Sequence, residues 1–119
     1  MKFFNKIFLF FLVFFSLIFS SSCSIIFGNV LTRAENLIKK GKDIEAVSLL
    51  DNYLYKKKDP KGYFLRGKAK SNLAYQYIKG RDRIANRKES VNDFQAAVNL
   101  DPRSLIYKEY LINEKIKRN

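Results

Sequence analysis

The stretch SVNDFQAAVNLDP, which runs from Ser90 to Pro102, decides the fold class of this 119-residue chain. Val91, Phe94 and Val98 recur at intervals of three and four residues, which is the spacing of one face of an α-helix. The chain shows no period-two alternation of Val, Ile or Thr, and it contains no Asn-Gly or Asp-Gly hairpin signal. The sequence therefore predicts an all-α protein.

Residues that typically start and end helices occur on both sides of this stretch, and they predict the remaining helices. Asp101-Pro102 has an earlier counterpart in Asp59-Pro60, and each pair offers a capping acid followed by a proline suited to the first helical position. Asp43 is a third candidate cap, and Asn86 with Glu89 forms a pattern like a capping box. We expect helices to begin at Val30, Asp43, Pro60, Asn86 and Pro102, with a connector over Gly80–Ala85 and the last helix running to about Lys117.

Two segments of the chain repeat a helical-hairpin pattern. The better copy joins YFLRGKA, residues 63–69, to the stretch 90–102, and a weaker copy covers residues 30–60. This pattern resembles the tetratricopeptide repeat family, whose unit is a 34-residue helix-turn-helix. The resemblance implies an α-solenoid of antiparallel helical hairpins, with about two repeats and a capping helix over Leu105–Ile116. A generic helical bundle is the alternative.

The resemblance also implies which residues pack between the helices, since one hairpin cannot bury its apolar face alone. The small residues and the aromatic residue expected at close helix contacts are Ala34, Ala46, Gly67, Phe94 and Ala97. The apolar residues of the capping helix expected to cover the open end of the stack are Leu105, Ile106, Tyr110, Leu111, Ile112 and Ile116.

Family members bind peptides or protein segments in a concave groove lined by the first helix of each repeat. The groove residues carried over by position are Lys61, Phe64, Lys68, Ser71 and Asn72 in the second copy, and Leu31, Glu35 and Ile38 in the first. Basic and amide side chains suit an acidic segment or a C-terminal carboxylate, which they bind through charge-assisted hydrogen bonds. The alternative is that Lys61 and Lys68 are ordinary solvated helix residues.

A second candidate surface is the charged region around the predicted connector. Its basic residues are Lys79, Arg81, Arg83, Arg87 and Lys88, and the acidic residues nearby are Asp82 and Glu89. Such clustering can attract a polyanion, such as anionic lipid headgroups or cell-wall polymers, with the helices serving only as a scaffold. A solvated loop kept soluble by its charge is the simpler alternative.

Composition argues against an enzyme. The chain has no His and one Cys, so it has no imidazole base and no internal disulfide, and it cannot form a zinc site from Cys or His. Gly occurs five times without forming a phosphate-binding loop, and no spacing pairs a nucleophile with a base. We therefore expect a non-catalytic protein without cofactor or metal.

The N-terminus predicts export and membrane attachment. Lys2 and Lys6 precede an apolar run and the segment Ser20-Ser21-Ser22-Cys23, which resembles a bacterial lipoprotein signal. The resemblance implies a signal peptide over residues 1–22, lipidation of Cys23, a tether over residues 23–29 and an exported domain over residues 30–119. The alternative is an uncleaved anchor over Ile7–Phe27. Both alternatives place the domain in the bacterial cell envelope, outside the cytoplasm and tethered to a membrane.

The exported part is strongly basic. The chain has 23 Lys and Arg against 11 Asp and Glu, and removing Lys2 and Lys6 leaves 21 against 11, a net charge of +10. Self-repulsion at this charge predicts a monomer in dilute buffer of low salt, and an acidic protein or peptide as the partner. Export argues against nucleic acid.

Overall fold

The computed structural model describes residues 6, 9, 10, 30–76 and 80–117. The all-α fold is confirmed: from residue 30 onward these residues form five helices joined by short turns, and none of the described residues lies in a strand. The helices are α1 (30–39), α2 (Asp43–Lys56), α3 (Pro60–Gln76), α4 (Arg81–Leu100) and α5 (Leu105–Ile116). Between α1 and α2, Gly41 adopts a φ of +75°, a backbone conformation that glycine accepts without a Cβ penalty.

Contacts between neighbouring helices establish that successive helices run antiparallel. Asp43, at the start of α2, accepts hydrogen bonds from Asn72 and Gln76, which lie near the described end of α3. Arg66 of α3 pairs with Asp93, and Lys70, one turn further along, pairs with Glu89, which comes earlier in α4. The chain therefore forms a stack of helical hairpins, as the sequence predicts.

Two apolar clusters hold the stack together. Ala34, Leu50 and Leu65 bring α1, α2 and α3 together, and Leu31 and Ile38 pack against this cluster. The second cluster joins Val91 and Phe94 of α4 to Leu111 of α5, with Phe64 of α3 packed against it. Phe94, which is 1% exposed, is the largest fully buried side chain among the described residues.

Helices α3 and α4 come into close contact at Gly67. A Cβ placed on Gly67 would lie 2.8 Å from Cε1 and 2.9 Å from Cδ1 of Phe94, closer than carbon atoms approach. The hydroxyl of Ser90 donates a hydrogen bond of 2.9 Å to the carbonyl of Gly67. The other expected packing residues, Ala34, Ala46 and Ala97, are fully buried.

Arg66, the residue before Gly67 in α3, connects three helices. Its Nε and Nη2 atoms donate to the two carboxylate oxygens of Asp93 in α4, at 3.0 and 2.8 Å. Its Nη1 donates to Asp51 of α2 at 2.9 Å. The buried Asp93 also lies 3.6 Å from Nζ of Lys70, so the carboxylate is compensated by two cations.

Asp59 caps α3 as predicted. One carboxylate oxygen accepts from the backbone N–H of Lys61 at 3.0 Å, and the other accepts from the hydroxyl of Tyr53 at 2.6 Å. Burial, together with the hydrogen bond and the charge of Asp59, raises the pKa of Tyr53 to about 12.

Residue 30 is helical and α2 begins at Asp43, as predicted, but the capping roles of Asp43 and Asn86 and the helix starts at Asn86 and Pro102 were wrong. Asp43 is the first residue of α2 rather than its cap, because its carboxylate binds the side chains of α3 described above. The connector Gly80–Ala85 is also wrong, since α4 begins at Arg81. Asn86 caps nothing; it lies inside α4 and donates to the carbonyl of Asp82.

The last helix begins later than predicted. Pro102 and Arg103 form a turn after Asp101, and α5 starts at Leu105 because the hydroxyl of Ser104 accepts a hydrogen bond from the N–H of Tyr107. Of the six apolar residues expected to cover the stack, only Leu111 is buried. Tyr110 is exposed beside the ring of Phe94, and the other four are more exposed still: Leu105, Ile106, Ile112 and Ile116. They lie on the outer side of α5, because Leu111 and Glu114 form its buried face toward α3 and α4.

Candidate functional site

A cleft of about 370 Å³ lies between α3 and α5. These helices run parallel, because Phe64, Ser71 and Tyr75 of α3 face, in the same order, Tyr107, Glu114 and Lys117 of α5. The cleft is lined by residues of both helices and by one ring from α4: Lys68, Ser71, Asn72, Tyr75, Phe94, Glu109, Tyr110, Asn113, Glu114 and Lys117.

The cleft contains some of the predicted groove residues and not others. Lys68, Ser71 and Asn72 line it. Phe64 is half-buried at the upstream end of the cleft, with its ring centroid 4.8 Å from that of Tyr107 and 4.9 Å from that of Tyr110.

The remaining groove residues lie elsewhere. Lys61 and Glu35 form an exposed pair between α3 and α1, with Nζ 3.9 Å from Oε2. Leu31 and Ile38 are half-buried against the first apolar cluster. The residues carried over for the first copy therefore do not take part in the cleft.

Lys68 is the cation on the α3 side of the cleft. Its Nζ lies 5.6 Å from the ring centroid of Phe64 and 5.7 Å from that of Tyr110, within the range of cation–π attraction. Among the described residues, no carboxylate lies within 4 Å of this ammonium group. Lys68 is therefore available to an anionic group in the cleft.

Glu114 places a buried carboxylate on the α5 side of the cleft. The residue is 3% exposed, and its Oε2 accepts a hydrogen bond of 3.0 Å from the hydroxyl of Ser71. Lys117 Nζ lies 3.8 Å from the same oxygen. The buried Oε1 has no hydrogen-bond partner among the described residues, so it can accept a donor from a ligand or from water.

Lys117 extends across the downstream end of the cleft, with its Nζ 5.0 Å from the ring centroid of Tyr75. A hydrogen bond to Tyr75 raises the pKa of Lys117 above its ordinary value; burial acts against this, and the charge of Glu114 adds to it. Lys117 is therefore charged at neutral pH, and it compensates the charge of Glu114.

The predicted basic patch is not a single surface. Lys79 lies outside the described residues. Arg87 is half-buried and directed inward: its Nη1 donates to the carbonyl of Lys117 at 2.8 Å, and its guanidinium lies over the ring of Tyr75. Arg83 is half-buried and interacts within the protein, whereas Arg81 and Lys88 are exposed.

Three further observations concern the predicted anchor and metal chemistry. Cys23 and the tether over residues 23–29 lie outside the described residues, as does the signal segment except for residues 6, 9 and 10. No helix in the described part of the chain is long and apolar enough to cross a bilayer. The same part contains no cluster of three or more His, Cys, Asp or Glu residues that could hold a metal ion.

Comparison with known proteins finds no similar one: no protein-family model, no curated protein and no solved structure matches this chain.

Proposed function

We propose that this protein is a membrane-anchored envelope lipoprotein whose tetratricopeptide-like helical domain binds an acidic segment of a partner protein. The binding site in this proposal is the cleft between α3 and α5. The observation that carries it is Lys68, a half-buried cation between two aromatic rings with no carboxylate partner among the described residues.

The other groups of the cleft suit a peptide main chain. Oε1 of Glu114 can accept a hydrogen bond from a peptide N–H, and the exposed side chain of Asn113 offers both a donor and an acceptor. Carboxylates of the segment would pair with Lys68, and the basic domain would attract the segment over longer distances. The proposed ligand is thus acidic in its side chains and donates main-chain N–H groups to the cleft.

The test measures binding of fluorescent eight-residue peptide pools to the full chain in a mild detergent. We expect an Asp/Glu-rich pool to bind more tightly than Lys/Arg-rich or Asn/Gln-rich pools of equal length. Lys68→Gln should weaken the binding of the acidic pool about tenfold or more, because a hydrogen bond to a charged group contributes about 1.5–3 kcal/mol.

Lys88→Gln is the matched control, since it removes the same charge from an exposed position outside the cleft. It should weaken binding less than twofold. Equal losses in the two variants would mean that the peptides respond only to net charge, and the cleft would lose its role.

A second candidate function is the binding of polyanions by the basic residues of α4. Arg81, Ile84 and Lys88 follow at helical spacing and share one exposed face, whereas Glu89 and Asp93 turn toward Lys70 and Arg66 of α3. If Lys68→Gln and Lys88→Gln weakened the binding of the acidic peptides equally, this alternative would be favoured.

The lipoprotein part of the proposal predicts a modified Cys23. The intact mass of the native protein should correspond to cleavage before Cys23 plus acyl chains, and Cys23→Ala should prevent the acylation. A mass equal to that of unmodified residues 1–119 would contradict lipidation and leave the uncleaved anchor over Ile7–Phe27.

A further inference from the structure

The order of the helices places three parts of the chain at one end of the stack. Because successive helices alternate in direction, residue 30 of α1, the turn between α2 and α3, and the turn between α4 and α5 lie at this end. The pair between Glu35 and Lys61 shows that the middle of α1 lies beside the start of α3. We call this end, formed by residues 30, 55–61 and 100–106, the tether end.

The tether end carries several cations and few acids. Its basic residues are Lys56, Lys57, Lys58, Lys61 and Arg103, and its acidic residues are Asp59 and Asp101. Both oxygens of Asp59 accept hydrogen bonds within the protein. The surface presented by this end is therefore basic.

Exposed apolar and aromatic side chains accompany these charges. Tyr55, in the last turn of α2, is 92% exposed, and Leu105, in the first turn of α5, is 78% exposed. Tyrosine is enriched where membranes meet water, and lysine and arginine are attracted by anionic headgroups. The tether end thus combines the residue types that suit the surface of an anionic bilayer.

Charge alone does not select this end, since the opposite end also carries cations: Lys39, Lys40 and Lys42 lie at the turn between α1 and α2. The opposite end also exposes Ile84. The selection comes from the chain before residue 30, and here the inference rests on the proposed membrane anchor. Val30 lies seven positions after Cys23, so a lipid on Cys23 would hold the start of α1 within roughly 25 Å of the bilayer. An anchor ending at Phe27 would hold it closer still.

We propose that the tether end docks on the surface of an anionic bilayer, so that α3 and α5 point away from the membrane. In this orientation the cleft between α3 and α5 opens parallel to the plane of the membrane. Lys68 lies eight residues into α3 and therefore stands about 12 Å above the docked turn. A partner segment could then reach the cleft without displacing lipid.

The absence of Trp from the chain allows a direct test. Tyr55→Trp introduces a single tryptophan at the tether end, and Ile84→Trp introduces one at the opposite end, where Ile84 is 70% exposed. The full chain carrying either substitution is reconstituted into vesicles of phosphatidylcholine, with or without phosphatidylglycerol. Quenching by lipids brominated in their acyl chains then reports contact with the bilayer.

We expect strong quenching and a blue shift for Tyr55→Trp in vesicles that contain phosphatidylglycerol, and neither effect for Ile84→Trp. Replacing Lys56 and Lys58 by Gln should lower the ratio of docked to undocked protein roughly 25-fold, since each lysine near an anionic surface contributes about fivefold. The same replacement of Lys40 and Lys42, at the opposite end, should leave the ratio unchanged.

The outcomes separate docking from anchoring. Flotation of the vesicles in a density gradient measures whether the protein is attached to them at all. If the full chain does not float with either kind of vesicle, both the anchor and the docked orientation are overturned. If it floats but Tyr55→Trp is not quenched, only the docking is overturned. Quenching of Ile84→Trp as strong as that of Tyr55→Trp would also overturn it, because the opposite end would then contact the bilayer.

Discussion

Phe94→Ala should destabilise the protein by about 3–5 kcal/mol, which is the usual cost of truncating a buried phenylalanine. Phe94 is the largest fully buried side chain described, and its ring contacts Gly67 of α3 and packs near Phe64 and Tyr110. Small domains are stable by about 5–15 kcal/mol, so this loss is a large part of the total. Thermal unfolding of the full chain in detergent, followed by circular dichroism, measures the effect.

Two variants serve as controls for Phe94→Ala. Phe94→Leu keeps most of the apolar volume and should cost clearly less. Ile44→Ala removes an exposed aliphatic side chain and should change stability by less than about 0.5 kcal/mol. If Phe94→Ala melted like the unaltered protein, the packing of α3, α4 and α5 described above would be wrong.

Gly67→Leu should destabilise the protein by about 3 kcal/mol, at the upper end of the usual range for overpacking. The Cβ alone would lie 2.8 Å from the Phe94 ring and 3.3 Å from Cβ of Asp93, so the buried ring or one of the two helices must shift. Replacing glycine inside a helix otherwise favours helix formation by about 0.8–1 kcal/mol. A net loss of stability therefore reports the contact between helices and not the propensity of the residue.

Ala85→Leu is the matched control for Gly67→Leu, since it adds a large side chain at an exposed position of α4. It should leave the melting temperature nearly unchanged. Gly67→Ala should cost less stability in a protein that carries Phe94→Leu than in the unaltered protein, because a smaller side chain then faces the new methyl group. Independent effects of these two substitutions would contradict a direct contact between residues 67 and 94.

The sequence predicted those features that depend on local pattern. Val91 and Phe94 lie on the buried face of α4, and the small residues lie where helices meet, because both features repeat with the period of the helix. The predicted caps Asp43 and Asn86 failed for a different reason. Asp43 binds side chains of α3, about 30 residues away, and local propensity carries no information on such contacts.

On the α3 side of the cleft, Lys68, Ser71 and Asn72 are residues that the sequence suggested for the groove, whereas Tyr75 and the α5 side were missed. The apolar residues of α5 suggested a cover for the stack, although Tyr110, Glu114 and Lys117 follow at intervals of four and three residues and share one face. This polar stripe was the available signal. The burial of Glu114 could not be predicted, because it depends on the hydroxyl of Ser71, which lies 43 residues earlier.

The position of Arg66 has a consequence for the cooperativity of unfolding. In a linear stack each hairpin contacts only its neighbours, so the terminal hairpin could open by itself. Arg66 binds Asp51 of the first hairpin and Asp93 of the second with the same guanidinium group. Separation of α2 from α3 therefore breaks the bond between Arg66 and Asp51. That bond also orients Arg66 toward the buried carboxylate of Asp93 in α4. The two hairpins share this one cation, so neither has a free energy of unfolding that is independent of the other.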